Sequence, residues 1–153
     1  MKKSQRMQTV NALAERKEQE QAKRFAKSQK HYDHQQKKHD ELKQYYREYA
    51  DTSHNQAAQK LDLNRLQETR QFMSKLAKAI AQQAEAVERA ELNLNNERQN
   101  WMDSRCRAMS LEKLTDRYRA QEQQQLNTEE QRQADDLSSQ RFVWSARQSS
   151  DMA

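Results

Sequence analysis

Histidine and aspartate gather in one short stretch near the N-terminus, where they could bind a metal ion. The stretch contains His31, Asp33, His34, His39 and Asp40, and His31 and His34 would share one face of a helix. Imidazole and carboxylate groups are common ligands of Zn²⁺, but the chain has one cysteine and no HExxH motif to complete such a site. The pattern is typical of solvated helix histidines, so we predict no metal site and no cofactor.

Catalysis by carboxylates would need a pocket that excludes water and shifts their pKa values. Only 33% of the residues are hydrophobic, 7% are aromatic and the mean hydropathy is -1.46, which is too polar for a globular core. A glycine-rich phosphate loop cannot form because the chain has no glycine. We therefore predict no catalytic residues, no small-molecule substrate and no enzyme activity.

Basic residues are concentrated in the first third of the chain. Residues 1–50 carry 13 Lys or Arg against 7 Asp or Glu, whereas the remaining 103 residues carry 15 against 16. The densest patch contains Lys23, Arg24, Lys27 and Lys30. Such a segment suits an acidic protein, an anionic lipid or a nucleic acid. Because motifs for base stacking and groove reading are missing, we expect no nucleic-acid binding.

A heptad repeat in the middle of the chain indicates the element that positions these residues. Every seventh residue from Leu66 to Ala108 is apolar, which is typical of a helix buried in a coiled coil. The chain has no Gly and no Pro, so long helices can run without interruption. A shorter row with the same seven-residue spacing precedes it and consists of Phe25, Tyr32, His39 and Tyr46. Together they predict a coiled-coil seam of Phe25, Tyr32, Tyr46, Leu66, Met73, Ile80, Val87, Leu94 and Trp101.

The two rows are separated by Asp51-Thr52-Ser53-His54-Asn55, a cluster of turn and cap formers, and Ser53-x-x-Gln56 fits a capping box. A reversal there would place Phe25 beside Val87. We predict an all-α fold with a single elongated domain over residues 1–153. It is a long two-helix antiparallel coiled-coil hairpin with an overhanging second helix. Helix 1 would span about 3–50, the turn about 51–60 and helix 2 about 61–145, with residues 112–150 unpaired.

Two apolar groups lie outside this seam. One steps along the flank of the second helix through Phe72, Leu76, Ala79 and Gln83. Such a strip is either part of a wider core, for example against a third helix in an oligomer, or a docking surface for another protein. The other group is Phe142-Val143-Trp144 near the C-terminus, which no other part of the chain is expected to cover.

Aromatic, apolar and charged residues recur at characteristic spacing between residues 42 and 141. They are Leu42-x-x-Tyr45-x-x-x-Tyr49, Arg65, Gln71-Phe72-x-x-x-Leu76-x-Lys78-Ala79-Ile80, Trp101, Lys113-Leu114, Arg117 and Gln131-x-x-x-Asp135-Asp136. This set resembles the FliJ family, the small coiled-coil component of flagellar type III export. Family members often carry glycines in the turn and a residue other than Gln at position 83, and this chain departs from them in both respects.

The resemblance implies a non-enzymatic component of the flagellar export apparatus. By analogy it would act as the central stalk of the hexameric export ATPase, with Phe142, Val143 and Trp144 at the ATPase end. Phe72, Leu76, Ala79 and Gln83 would dock to the cytoplasmic domain of the membrane export gate, and the protein would escort export chaperones. We expect a monomer in isolation, in the cytoplasm and peripherally associated with the inner membrane at the flagellar basal body. The alternatives are an injectisome stalk protein and a generic self-associating structural coiled coil.

Overall fold

A computed structural model of the protein describes residues 2–57 and 63–152. It contains two long helices. Helix α1 spans Lys3–Ala57 and helix α2 spans Leu63–Asp151, 55 and 89 residues respectively. Both run unbroken because the chain contains no residue that lacks a Cβ or a backbone N–H. The helices pack against each other in opposite directions, and the described residues include no strand. The predicted all-α helical hairpin is confirmed.

The end of α1 differs from the sequence prediction. Residues 51–55, which were expected to form the turn, continue the helix, so the expected capping box at Ser53 lies inside α1. Thr52 shows how a turn-forming residue is accommodated, since its Oγ1 donates to the Glu48 carbonyl oxygen at 2.8 Å and thereby satisfies its hydroxyl within the helix. The remaining expected turn positions, 58–60, lie outside the described residues.

The register of the hairpin also differs from the prediction. Phe25 stacks against Trp101, fourteen residues beyond its expected neighbour Val87, and Gln83 contacts Gln35. The difference has a physical cause: α1 continues past the expected turn, so the chain reverses later and each α1 residue meets a later part of α2. Two heptad rows can also pair in several alignments seven residues apart, and the rows alone do not select one.

The chain divides into two compact units, a central unit of Lys17–Arg105 and a terminal unit of Met1–Arg16 with Cys106–Ala153. In the central unit the heptad positions of both helices lie in the helix contact. Leu94 is the most deeply buried of the predicted seam residues, at 5% exposure, and Tyr46 is the most exposed, at 36%. The other predicted seam residues are half-buried: Phe25, Tyr32, Leu66, Met73, Ile80, Val87 and Trp101.

In the terminal unit the start of α1 packs on α2 as far as Glu122. Thr115 is the most buried residue there; its Oγ1 accepts a hydrogen bond from Asn11 Nδ2 at 2.8 Å and donates to the Leu111 carbonyl oxygen at 2.8 Å. After Glu122, every described residue of α2 is exposed. The expected unpaired segment therefore begins at residue 123 and not at 112, because the later reversal carries α1 farther along α2. Residues 123–151 are called the overhang below.

The contact between the helices is rich in polar and small side chains. Its buried residues are Ser4, Ser28, Ala90, Leu94 and Thr115. Among the described residues, Asn11, Gln21 and Glu97 each keep a buried side-chain oxygen without a hydrogen-bond partner. Such an oxygen costs about 1–3 kcal/mol relative to its hydrated state. The hairpin therefore depends on few large apolar contacts, and individual aromatic and leucine residues matter more than they would in a dense core.

Candidate interaction surfaces

The aromatic side chain at position 72 lies on the flank of α2 against helix α1. Phe72 is 44% exposed, and its ring centroid is 4.6 Å from that of Tyr49 with a tilt of 38° between the rings. Aromatic pairs at this separation stabilise a fold by about 0.5–1.5 kcal/mol beyond the area they bury. One turn earlier on α1, Tyr45 is exposed as well. Phe72 is therefore both a contact between the helices and a partly accessible hydrophobic surface.

The rest of the expected docking strip does not share this exposure. Leu76 and Ala79 are half-buried, and Gln83 Nε2 donates to the Gln35 carbonyl oxygen at 2.9 Å and to Gln35 Oε1 at 2.7 Å. The reason is the heptad phase, since Leu76 and Gln83 follow the apolar row by three residues and face the partner helix. The four residues therefore do not form one continuous exposed surface, and Phe72 is the member that solvent reaches most.

Trp101 connects the two helices in the central unit. Its ring stacks on Phe25 with 5.7 Å between centroids and 16° between planes, and its Nε1 donates to Glu18 Oε1 at 3.0 Å. The guanidinium of Arg98 lies 5.7 Å from the Phe25 ring, and that of Arg105 lies 5.4 Å from Trp101. Such cation–π contacts contribute about 0.5–1 kcal/mol at exposed positions. This cluster holds the register and leaves little of Trp101 for a partner.

A carboxylate of α2 caps the N-terminus of α1. Ser4 donates from its backbone N to Glu122 Oε1 at 3.1 Å and from its Oγ to Oε2 at 2.7 Å. Helix α1 has no acidic residue in its own first turn, so Glu122 supplies the negative charge that the positive end of a helix favours. The Ser4 hydroxyl, followed by the Ser4 backbone N–H, holds the pKa of Glu122 below its ordinary value. Lys3 lies 5.5 Å from the Tyr118 ring centroid beside this cap.

The overhang displays large apolar side chains along a single helix. Phe142 is 74% exposed and Trp144 is 65% exposed, and Leu126, Leu137 and Val143 are exposed with them. Phe142 and Trp144 are two residues apart, so at about 100° per residue they point to nearly opposite sides of the helix. The apolar groups of the overhang therefore do not form one face that a single neighbouring helix could cover.

These features accompany a match to a known family. The chain matches the family model described as "Flagellar FliJ protein" over residues 2–147. It belongs to the FliJ family. No curated protein and no solved structure matches the chain. FliJ proteins are components of flagellar type III export and form a family of export-associated proteins, not of enzymes. The resemblance stated from the sequence is thereby confirmed, and with it a place in flagellar protein export.

This FliJ-family chain shows no arrangement for metal chemistry among residues 2–57 and 63–152, where no group of three or more His, Cys, Asp or Glu could hold a metal ion. His31 and His34 are exposed, and His39 is half-buried. Within the same residues no helix is long and apolar enough to cross a membrane.

Sequence reasoning did not find several residues that shape these surfaces. It did not pair Tyr49 with Phe72, Glu18 with Trp101, or Glu122 with Ser4. All three pairs depend on the register, which the heptad rows alone do not select. A local signal existed for one of them: Ser4 stands at the start of a helix without acidic residues in its first turn, and the free N–H groups there favour a carboxylate from elsewhere.

Proposed function

We propose that this protein is the central stalk of the hexameric export ATPase, docks to the cytoplasmic domain of the membrane export gate and escorts export chaperones. The role is non-enzymatic, in the cytoplasm and at the inner membrane beside the flagellar basal body. The observation that supports the stalk role most directly is the overhang, a helical extension with exposed aromatic residues on opposite sides.

A single helix in water is marginally stable unless its apolar side chains are covered by a partner. A flat partner could cover Phe142 or Trp144, but not both, because they point in opposite directions. A ring of subunits surrounds a helix and can contact all sides of it. The hexameric ATPase named by the resemblance is a partner of that geometry, and the overhang is the segment that would enter it.

Fewer residues are proposed for the contact with the export gate than the sequence alone predicted. Leu76 and Gln83 face the partner helix, so Phe72 is the member of the predicted strip best placed to contact another protein; Ala79, two turns farther along α2, is half-buried. Tyr49 packs against Phe72 and would hold the aromatic ring of Phe72 toward the export gate. Aromatic anchors of this kind often carry much of the binding energy of an interface. The chaperone-escort role is supported by family membership.

The stalk role is tested by measuring the affinity of the full chain for the assembled ATPase ring. Replacing Phe142 and Trp144 together by Ala should weaken binding by at least about tenfold, because exposed aromatic anchors are the expected contacts. The matched control is Leu92→Ala, which removes an exposed apolar residue from the central unit and should leave the affinity unchanged. Equal affinities of the double variant and the unaltered chain would exclude the overhang as the ATPase contact.

The gate contact is tested with Phe72→Ala beside Met73→Ala. Phe72→Ala should lower affinity for the gate domain by about 2 kcal/mol, as interface anchors commonly do. It should also cost about 1 kcal/mol of folding stability, because the ring contact with Tyr49 is lost. Met73→Ala, which alters the helix contact, should cost more stability and less gate affinity. If Phe72→Ala destabilises the fold as strongly as Met73→Ala and leaves gate binding intact, Phe72 is a packing residue only.

A further inference from the structure

The outward side of α1 carries an uninterrupted array of cationic and histidine side chains in the central unit. These residues fall in three neighbouring columns of the helix, each with seven-residue spacing, and all of them are exposed. We call this array the basic face: Lys23, Arg24, Lys27, Lys30, His31, His34, Lys37 and Lys38. At about 1.5 Å per residue the array is roughly 23 Å long. No acidic residue occurs in these columns between the first and last member.

Acidic residues lie at the two ends of the basic face, where Glu20 and Glu41 continue the column of Lys27 and His34, and along one side of it, where Asp33 and Asp40 are hydrogen-bonded elsewhere. Asp33 accepts from Gln29 Nε2 at 3.1 Å, and Asp40 accepts from Gln36 Nε2 at 3.3 Å. Both glutamines lie on the side of the aspartates away from the basic face. In the part of the chain that the structure describes, the one ion pair within 4 Å joins Arg119 to Asp116 on the other helix. The six Lys and Arg of the basic face therefore carry unpaired positive charge.

We propose that the basic face adsorbs to an anionic lipid surface. Five of its six permanent cations are Lys, which is depleted at protein–protein interfaces, whereas Arg is enriched there. The face contains no aromatic residue on which a nucleic-acid base could stack. A lipid surface needs neither matched geometry nor stacking, because its headgroups move laterally to meet the cations. This inference does not depend on the export role proposed above, since it follows from the charge of α1 alone.

The binding is electrostatic adsorption and not insertion. The basic face has no apolar residue that could enter the hydrocarbon, and clusters of four to eight Lys or Arg on a helix are a recognised signature of anionic-lipid binding. Each cation close to the surface strengthens binding by about fivefold, and the attraction falls off within a Debye length of about 10 Å at 0.1 M salt. Affinity should therefore decrease steeply with salt.

The experiment measures co-sedimentation of the full chain with vesicles of phosphatidylcholine, with and without phosphatidylglycerol. The test variant replaces Lys23, Lys27 and Lys30 by Gln, and the control variant replaces Lys75, Lys78 and Arg89 by Gln. The control residues are exposed on α2, so both variants lose the same charge. We expect the unaltered chain to bind only the anionic vesicles. The test variant should bind about a hundredfold more weakly, and the control should stay within about fivefold of the unaltered chain.

Three results would overturn the proposal. The first is that the unaltered chain fails to bind anionic vesicles at about 0.1 M salt. The second is that the two variants lose affinity equally, which would reveal an effect of net charge and not of this face. The third is that duplex DNA or poly-L-glutamate competes the chain off the vesicles at a lower charge concentration than phosphatidylglycerol does, which would indicate a nucleic acid or an acidic protein as the partner. Circular dichroism of both variants checks that the helices are retained, as expected for exposed helix positions.

Discussion

At the scale of single residues, Leu92 and Leu94 can be compared directly, because both are leucines and only their surroundings differ. Leu92 is 65% exposed, whereas Leu94 is 5% exposed in the contact between the helices. Leu94→Ala should lower the free energy of unfolding by about 2–4 kcal/mol, since it removes a buried side chain from a seam with few of them. Leu92→Ala should change it by less than about 0.5 kcal/mol. Urea unfolding of both variants measures the difference, and equal effects would show that Leu94 does not lie in the contact between the helices.

The capping contact of Glu122 makes a second prediction at this scale. Ser4 holds the pKa of Glu122 below its ordinary value of 4.5, because the ionised carboxylate accepts both hydrogen bonds. A depressed pKa in the folded state means that the contact is fully stabilising above the ordinary value. It is lost as the pH falls through the lower, folded-state pKa. The start of α1 should therefore loosen from α2 only below about pH 4.5.

An NMR titration of the Ser4 amide proton measures this contact. Its chemical shift should change with a midpoint below 4.5, the ordinary value for the Glu122 carboxyl. Glu122→Gln should abolish that transition, because the amide side chain does not ionise. Glu129→Gln, in the exposed overhang, is the control and should leave the transition unchanged. Persistence of the transition in Glu122→Gln would show that another group titrates beside Ser4.

At the scale of the helices, the sequence predicts which residues face the partner helix but not which residues they meet. The heptad row from Leu66 to Trp101 is half-buried or buried at every step, because seven-residue spacing keeps a single line of side chains on one side of a helix. The partner of Phe25 could not be predicted in the same way. Alignments seven residues apart bury similar rows, and the position of the reversal decides among them.

The position of the reversal was missed because local and helical preferences compete. The residues from Asp51 to Asn55 favour turns and caps when considered alone. Without Gly or Pro, however, nothing in this segment blocks helix continuation, and Thr52 satisfies its hydroxyl on the Glu48 carbonyl. The candidate docking strip was predicted only in part for a related reason. Its four-three-four spacing describes a helix face, but the heptad phase places Leu76 and Gln83 in the seam.

The overhang supports a prediction for a whole helical segment. Residues 123–151 are exposed throughout, so few buried contacts hold their backbone hydrogen bonds. Amide hydrogens of this segment should exchange faster than those around Leu94 by at least about a hundredfold, and binding of the ATPase ring should slow exchange near Trp144. Hydrogen-exchange mass spectrometry of the free and bound chain measures both. Strong protection of the overhang in the free chain would reveal a partner within the chain or a second copy.

At the scale of the whole molecule, a polar seam has consequences for partner binding. Buried oxygens without partners at Asn11, Gln21 and Glu97 reduce the stability that the hairpin gains from its leucine and aromatic contacts. A protein that is only modestly stable gains measurably when a partner binds its folded form alone. The partners proposed for the overhang, for Phe72 and for the basic face should therefore each raise the melting temperature of the hairpin.

The pairing of the two helices within one chain can be tested by disulfide cross-linking. Gln35→Cys and Gln83→Cys place two thiols at positions of the two helices whose glutamine side chains hydrogen-bond to each other, and Cys106→Ser removes the native thiol. Disulfides form only between closely spaced residues, so oxidation should link this pair within one chain. Non-reducing electrophoresis should show a monomer of altered mobility.

The control is Gln29→Cys with Gln83→Cys, which represents the pairing expected from the sequence alone and should cross-link poorly. Predominant disulfide-linked dimers from the first pair would show that the helix partner comes from a second chain, and efficient linkage in the control would restore the earlier register.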